Sequence, residues 1–315
     1  MHPELGITKY ETTSAVREHP ERVVEAGELE GITEYAIDHS FEKSSGDTLR
    51  YLARTRLETF LADIRILRFR VDKNDLYEKL RYTGKKVELF ISRTFTLRTI
   101  FKNTMEAVPP RAHRVIWREG GAMVAHVLTR HKTKLSQGIY AKVGDTRTNI
   151  YGIEGGEVRF FDYFPWGKNN LYEAIGGFMG VGKNTAKEIT EKIMQGKCSP
   201  GVQRKCDTYI IEEIATCLRG IESAARHLFP ARKTPHITYL DMMPYAIEKY
   251  LGKRIVSLYT SRLVEMYGFT LYNGKDVEKI DTTTIAALLE RFLSPKLPAM
   301  ERAIQNKIEQ LRKYR

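Results

Sequence analysis

Apolar and polar positions along the chain change period from segment to segment, and each change marks an element. Ile64, Ile66, Phe69 and Val71 nearly alternate with Arg65, Arg68 and Arg70, the pattern of a half-buried strand with a solvated face. Residues 87–91 (VELFI) read as a strand, 97–107 as a helix stopped by Pro109 and Pro110, 115–117 as a short strand and 122–128 as a helix. Residues 138–153 (GIYAKVGDTRTNIYGI) form two β-rich runs broken at Gly144-Asp145. The turn Glu154-Gly155-Gly156-Glu157 and the run 158–164 follow, which together predict a meander with two tight turns. From Asn169 to about Leu228 the period becomes helical, interrupted at 176–184 and near 198–202. Residues 236–240 return to strand, and 284–293 read as the last helix of the body. Strands feeding helices predict an α/β architecture.

The first 47 residues fit this pattern poorly, since 18–34 are polar with little period. They also differ in charge. Residues 1–47 carry 4 basic and 11 acidic side chains, whereas 48–135 carry 20 and 8. The first stretch is therefore expected to be a separate acidic arm, either mobile, covered by a partner, or lying over the basic stretch 50–70. The whole chain of 315 residues nets +12, which favours acidic partners: an acidic peptide, anionic lipid or nucleic acid. Nucleic acid has the least support, because no zinc finger, helix-turn-helix spacing or Gly-aromatic RNA signature accompanies the charge. Three cysteines at spacings of 8 and 11 fit neither a metal knuckle nor a disulfide framework, so a reducing cytosol is the expected setting. No run of about 18 apolar residues exists to span a bilayer, and residues 1–10 lack the apolar core of a signal peptide.

Gly177–Thr185 (GFMGVGKNT) nearly satisfies a P-loop through Gly177, Gly182 and Lys183. It fails on chemistry, because Asn184 stands where a hydroxyl must meet magnesium, and on context, because a helix rather than a buried strand precedes it. Glycines closing one helix, with Asn184 or Thr185 capping the next, account for the stretch. None of the eight histidines has metal-site spacing, and no nucleophile motif is present, so neither a metal centre nor hydrolase chemistry is expected.

From about Lys86 onward the order of parts resembles the actin-like ATPase superfamily, specifically the FtsA and PilM families. The carrying residues are Ile116-Trp117-Arg118-Glu119, the hairpin KVGDTRTNI (142–150), the turn Glu154-Gly155-Gly156, the helix start 167–175 (GKNNLYEAI) and Ala186-Lys187-Glu188. Thr148-Asn149-Ile150 is closer to the PilM pattern, and Glu34-Tyr35-Ala36-Ile37-Asp38 is similar to a stretch near the start of the FtsA partner-binding subdomain. The resemblance implies actin-like, ribonuclease H-like subdomains with mixed sheets flanked by helices, the first phosphate-loop segment being truncated or missing. Its expected parts are an acidic arm (1–47), a basic partner-binding subdomain with the start of the core (48–135), a second actin-like domain with the hairpin remnant and a helical insert (136–298), and a basic amphipathic helix (299–315).

The departures bear on mechanism. In these families the hairpin amides wrap the phosphates while a leading Asp orients the magnesium shell. Lys142 stands at that Asp position, and Asp145 and Thr146 replace small residues after Gly144. Leu5-Gly6-Ile7 with Thr12-Thr13-Ser14 only faintly echoes the first phosphate loop. The ribose-contacting Glu and Lys correspond to Lys187 and Thr190, and the strand under the adenine, 237–244, lacks its glycines. Degenerate nucleotide binding, or none, is what the resemblance then implies. The nucleotide-contact candidates are Lys142, Gly144, Asp145, Thr146, Thr148, Asn149, Gly167, Lys187 and Thr190.

The expected function is a non-catalytic or weakly nucleotide-binding scaffold that recruits a partner peptide near the cytoplasmic membrane, in cell division or pilus and secretion assembly. Arg50, Arg54, Arg56, Arg65, Arg68 and Arg70 are the partner-binding candidates. One alternative is an ATPase or sugar-kinase-like enzyme using Glu119, Asp145 and Thr148 around ATP and magnesium; another is a basic nucleic-acid-binding protein. The tail places Met300, Ala303, Ile304, Ile308 and Leu311 on one stripe, with Lys307, Arg312 and Lys313 on the opposite faces. It resembles the membrane-targeting helix of FtsA in place and sign but lacks Trp or Phe. Membrane contact, packing on the body, and pairing within a dimer all remain open for it.

Overall fold

The computed structural model describes residues 6–43, 58–72, 74–75, 82–108, 117, 119–130, 137–229, 238–242, 247–248, 251, 255–258 and scattered positions between 263 and 304. The chain divides into two compact units, one of residues 1–119 with 292–315 and the other of residues 120–291.

The first unit is built on a four-stranded antiparallel sheet in the order β1-β4-β2-β3. Its elements are β1 (Gly6–Val16), α1 (Ala26–Lys43), β2 (Thr59–Val71), β3 (Asn74–Asp75), β4 (Lys86–Leu97) and α2 (Arg98–Ala107). Strand alternation sends Ile7, Ile64, Phe69, Val71, Leu89 and Ile91 into the core. There the buried stripe of α1, Leu29, Thr33, Ala36 and Ile37, packs against β1 and β4. Register shifts at Leu61/Asp63 and Ile66/Arg68 absorb one extra residue each. The second shift has a sequence consequence. Arg65, Arg68 and Arg70 pair with Ser92, Phe90 and Glu88, so all three arginines share one face of the sheet and Ile64, Ile66, Phe69 and Val71 the other.

A separate acidic arm does not form. Residues 6–16 pair along their whole length with 86–96, and α1 supplies core side chains. Net charge does not report on packing here, because acidic side chains of this segment neutralise buried arginines. Glu11 pairs with Arg93, whose side chain is 1 % exposed, and Glu28 takes Arg17 in two bonds of 2.6 and 2.8 Å. Gly6-Ile7 and Thr12-Thr13-Ser14 lie in one uninterrupted strand, which leaves no turn between them for a phosphate loop.

The second unit carries α3 (Gly120–Arg130), β5 (Gln137–Val143), β6 (Thr148–Glu154), β7 (Glu157–Phe164), α4 (Lys168–Met179), α5 (Lys183–Met194), α6 (Pro200–Leu228), β8 (Thr238–Asp241) and β9 (Ile255–Ser257). The sheet order is β7-β6-β5-β8-β9, an antiparallel meander extended by two strands parallel to β5. Gly155 and Gly156 both take positive φ, 62° and 75°, as the two-residue turn between β6 and β7 requires. Ile139, Ala141, Val143 and Ile150 face a core shared with Leu171, Ile175, Ile193, Ile210, Ile214 and Ile221 of α4–α6. The alternate positions of β5 and β6 point to the opposite face, where α3 lies against the meander. Gly121 allows that contact: a Cβ there would stand 2.4 Å from the Tyr151 hydroxyl oxygen.

The near-P-loop stretch joins two helices. Gly180 closes α4 in the left-handed conformation (φ 66°), Val181 N–H donates to Gly176 O at 3.0 Å, and Gly182, not Asn184 or Thr185, caps α5. Of the expected strand at 115–117 only Trp117 is described, outside any strand, and most of the helix at 284–293 and nearly all of the tail lie outside the described residues.

Candidate functional site

The turn between β5 and β6 is the hairpin singled out in the sequence. Gly144 N–H donates to Arg147 O at 2.9 Å and closes it. The start of α4 is docked against it. Lys168 N–H donates to Gly144 O and Asn169 N–H to Asp145 O, both at 2.9 Å, while Asn170 N–H turns to Gly167 O at 3.0 Å. With the Gly167 N–H, all four free donors of the helix start have protein partners. Gly167 makes the docking possible: a Cβ there would stand 2.5 Å from Asp145 O and 2.6 Å from Thr146 N. Its own N–H is accepted by Asn170 Oδ1 at 3.0 Å. Thr148, fully buried, donates its hydroxyl to Trp166 O at 2.8 Å, and the Trp166 indole N–H donates to Glu213 at 2.9 Å. Against Thr148 stands Cys217, whose thiol burial pushes up to about 12.

Lys142 lies on the other face of β5, toward the end of the strand. The parallel register sets it opposite Asp241, the last residue of β8. Its ammonium is 3.1 Å from Asp241 Oδ2, and the side chains are 9 % and 0 % exposed. The same oxygen accepts the hydroxyls of Tyr140 at 2.9 Å and Thr282 at 2.7 Å, and Lys142 also donates to Thr282 Oγ1 at 3.3 Å. The result is a buried, hydrogen-bonded ion pair that holds β5, β8 and residue 282 together.

Lys142, Gly144, Asp145, Thr146, Thr148, Asn149 and Gly167 are thus gathered around one hairpin, as the sequence implies, but in roles set by packing. Asn149 and Thr148 are buried, while Asp145, 54 % exposed at its side chain, reaches Lys168 at 3.2 Å. On α5, Lys187 faces solvent, and buried Thr190 returns its hydroxyl to Ala186 O at 2.8 Å. Glu119, 1 % exposed, is the last residue of the first unit. A magnesium nucleotide held in the family's manner needs a carboxylate at the leading position and free donors in the turn. These residues offer an already paired ammonium and a turn whose carbonyls carry helix α4. The leading position thus holds a paired cation in place of the carboxylate. Among the described residues no three His, Cys, Asp or Glu side chains come together as metal ligands.

The sequence reading does not single out Asp241, Tyr140 and Thr282 as site residues. The signal for Asp241 is a charged residue ending an apolar run (TYLD) that can pair with the lysine in another (IYAKV). Of the partner candidates, Arg65, Arg68 and Arg70 lie half-buried on β2, with the Arg70 guanidinium 5.1 Å from the Phe90 ring centre. Arg50, Arg54 and Arg56 lie outside the described residues, as do the tail candidates except Ile304, which is half-buried.

No family model matches the chain. No curated protein matches it either. Among solved structures it is similar to a PilM–PilN type IV pilus biogenesis complex, at 13% identity over 94% of this chain and 76% of that one, with a TM-score of 0.48. It is also similar to the ethanolamine utilization protein EutJ from Carboxydothermus hydrogenoformans (15% identity, 54% of each chain, TM-score 0.32). A third is an archaeal actin homologue (14% identity, 57% of this chain and 56% of that one, TM-score 0.32). The chain spans little more than half the length of these last two. The mixed α/β architecture, two sheets with helices packed against them, is the one that the resemblance in the sequence implies.

Proposed function

We propose that the chain is a non-catalytic actin-like scaffold of FtsA or PilM kind, whose second unit keeps the phosphate hairpin as a structural joint and whose first unit receives a protein partner. The observation that supports it most is the buried pairing of Lys142 with Asp241. An ammonium at the leading position repels the divalent cation that a carboxylate there would attract, and its own counter-charge is already in place. The docking of α4 on Gly144 and Asp145 carbonyls supports the same reading. An acidic peptide is the partner favoured by the net charge of residues 48–135 and by the shared face of Arg65, Arg68 and Arg70. The reading has the protein work in the cytoplasm, with the basic tail attaching it to anionic membrane. No helix among the described residues is long and apolar enough to cross a membrane.

One observation favours an ATPase as the second reading: the Asp145 carboxylate is exposed at the tip of the hairpin, where it can turn toward a divalent cation. Phosphate release from ATP with magnesium separates the two. The scaffold is expected to turn over at the rate of buffer alone, and hydrolysis above background that disappears in Asp145→Ala would establish the enzyme.

A further inference from the structure

Helix α2 begins immediately after β4, tied down by Arg98 N–H donating to Glu58 O at 2.7 Å. It carries Ile100, Phe101 and Met105 on adjoining positions, yet none of its ten residues is buried. The Phe101 ring is engaged, with its centre 4.1 Å from that of Phe60 and 4.9 Å from that of Trp117. Along this side of the helix runs an open groove of about 500 Å³, lined by Phe60, Arg98, Phe101, Lys102, Met105 and Glu106.

The groove has two chemically distinct parts. Its floor and one wall are aromatic and thioether: Phe60, Phe101 and the 38 % exposed Met105, a surface that adapts to an aromatic or branched aliphatic side chain. Its rim is cationic. The Arg98 guanidinium lies 5.8 Å from the Phe60 ring centre, and Lys102 stands 74 % exposed, joined to Glu106 only by a long 3.9 Å pair. Such an exposed i,i+4 contact is weak and yields readily to a better-placed carboxylate. Along the sequence, residues 48–135 carry 20 basic against 8 acidic side chains.

We infer that this groove is the docking site of an acidic peptide from a partner protein, with a large apolar anchor seated between Phe60, Phe101 and Met105 and flanking carboxylates on Arg98 and Lys102. The inference rests on the partner half of the proposed function and is independent of the nucleotide half. It also moves the centre of recognition from the arginines of β2 to α2.

Selection of a random twelve-residue peptide display library on the full-length protein tests it, the enriched peptides being resynthesised with a fluorescein label. The expected consensus joins an aromatic or leucine to at least two acidic residues. Binding should weaken about tenfold or more in Met105→Glu and in Arg98→Glu/Lys102→Glu, and should fall steeply between about 0.05 M and 0.3 M salt. Neither substitution touches a buried residue, so the thermal midpoint stays that of the wild type. Enriched peptides without acidic excess, or acidic peptides that bind Met105→Glu as tightly as wild type, overturn the inference. Acidic peptides lost only in Arg65→Glu/Arg68→Glu/Arg70→Glu also overturn it while leaving the scaffold reading intact. Capture by phosphatidylglycerol vesicles that depends on Met105 would make the groove a lipid site and overturn it as well.

Discussion

Lys142 and Asp241 face each other across the parallel pairing of β5 with β8, ammonium to carboxylate at 3.1 Å, both buried. Removing one member of such a pair leaves the other charge without compensation, at a cost of about 3–5 kcal/mol, whereas removing both costs less. Lys142→Met should therefore destabilise the protein strongly, and Lys142→Met/Asp241→Leu should recover part of the loss. Denaturant unfolding of the two single variants and the double one measures the coupling. Strictly additive losses would contradict it.

Gly167→Ala tests the joint between hairpin and helix. The added methyl meets backbone atoms of Asp145 and Thr146 rather than a side chain that can swing away. The helix start must lift, breaking the bonds from Lys168 and Asn169, and a loss of about 1–3 kcal/mol is expected. Trp166, one of two tryptophans, sits beside the joint and gives a fluorescence readout of the displacement. An unchanged emission maximum with unchanged stability would show that the contact is soft.

Stability should fall on acidification through two carboxylates of the first unit. The double hydrogen bond from Arg17 holds Glu28 below its ordinary value of 4.5. The backbone N–H groups of Lys86 and Lys85 hold Asp72 below 3.8. Because both values are depressed in the folded state, their contribution is fully present above the ordinary values and is lost as pH falls through the lower, folded ones. Thermal midpoints recorded from about pH 7 to pH 3 should drop below pH 4.5, and Glu28→Gln should flatten the drop. A Glu28→Gln profile parallel to the wild type would remove that residue from the effect.

Most elements of the second unit are legible because their signals are local. The alternation in 138–153, the Gly155-Gly156 turn and the glycines between α4 and α5 each act within a few residues, and the elements form where they direct. The face of Arg65, Arg68 and Arg70 is legible for the same reason, although the bulge that aligns Arg68 with Arg65 is visible only in the register. What is hidden rests on pairings far apart in the chain. Glu11 gives β1 a polar appearance because it answers a buried arginine 82 residues away, and so the segment reads as an arm. Lys142 looks like a free cation at a phosphate site because Asp241 lies 99 residues further on. In both cases opposite charges separated in sequence cancel inside the fold, and no local window contains both.

On the proposed reading, the hairpin of the second unit is a structural joint and not a magnesium-nucleotide site. Isothermal titration of the full-length protein with ATP in the presence of magnesium tests it most directly. No saturable heat is expected up to millimolar nucleotide, in wild type and in Asp145→Ala alike. Saturable binding at micromolar concentration that requires magnesium and is lost in Asp145→Ala would contradict it.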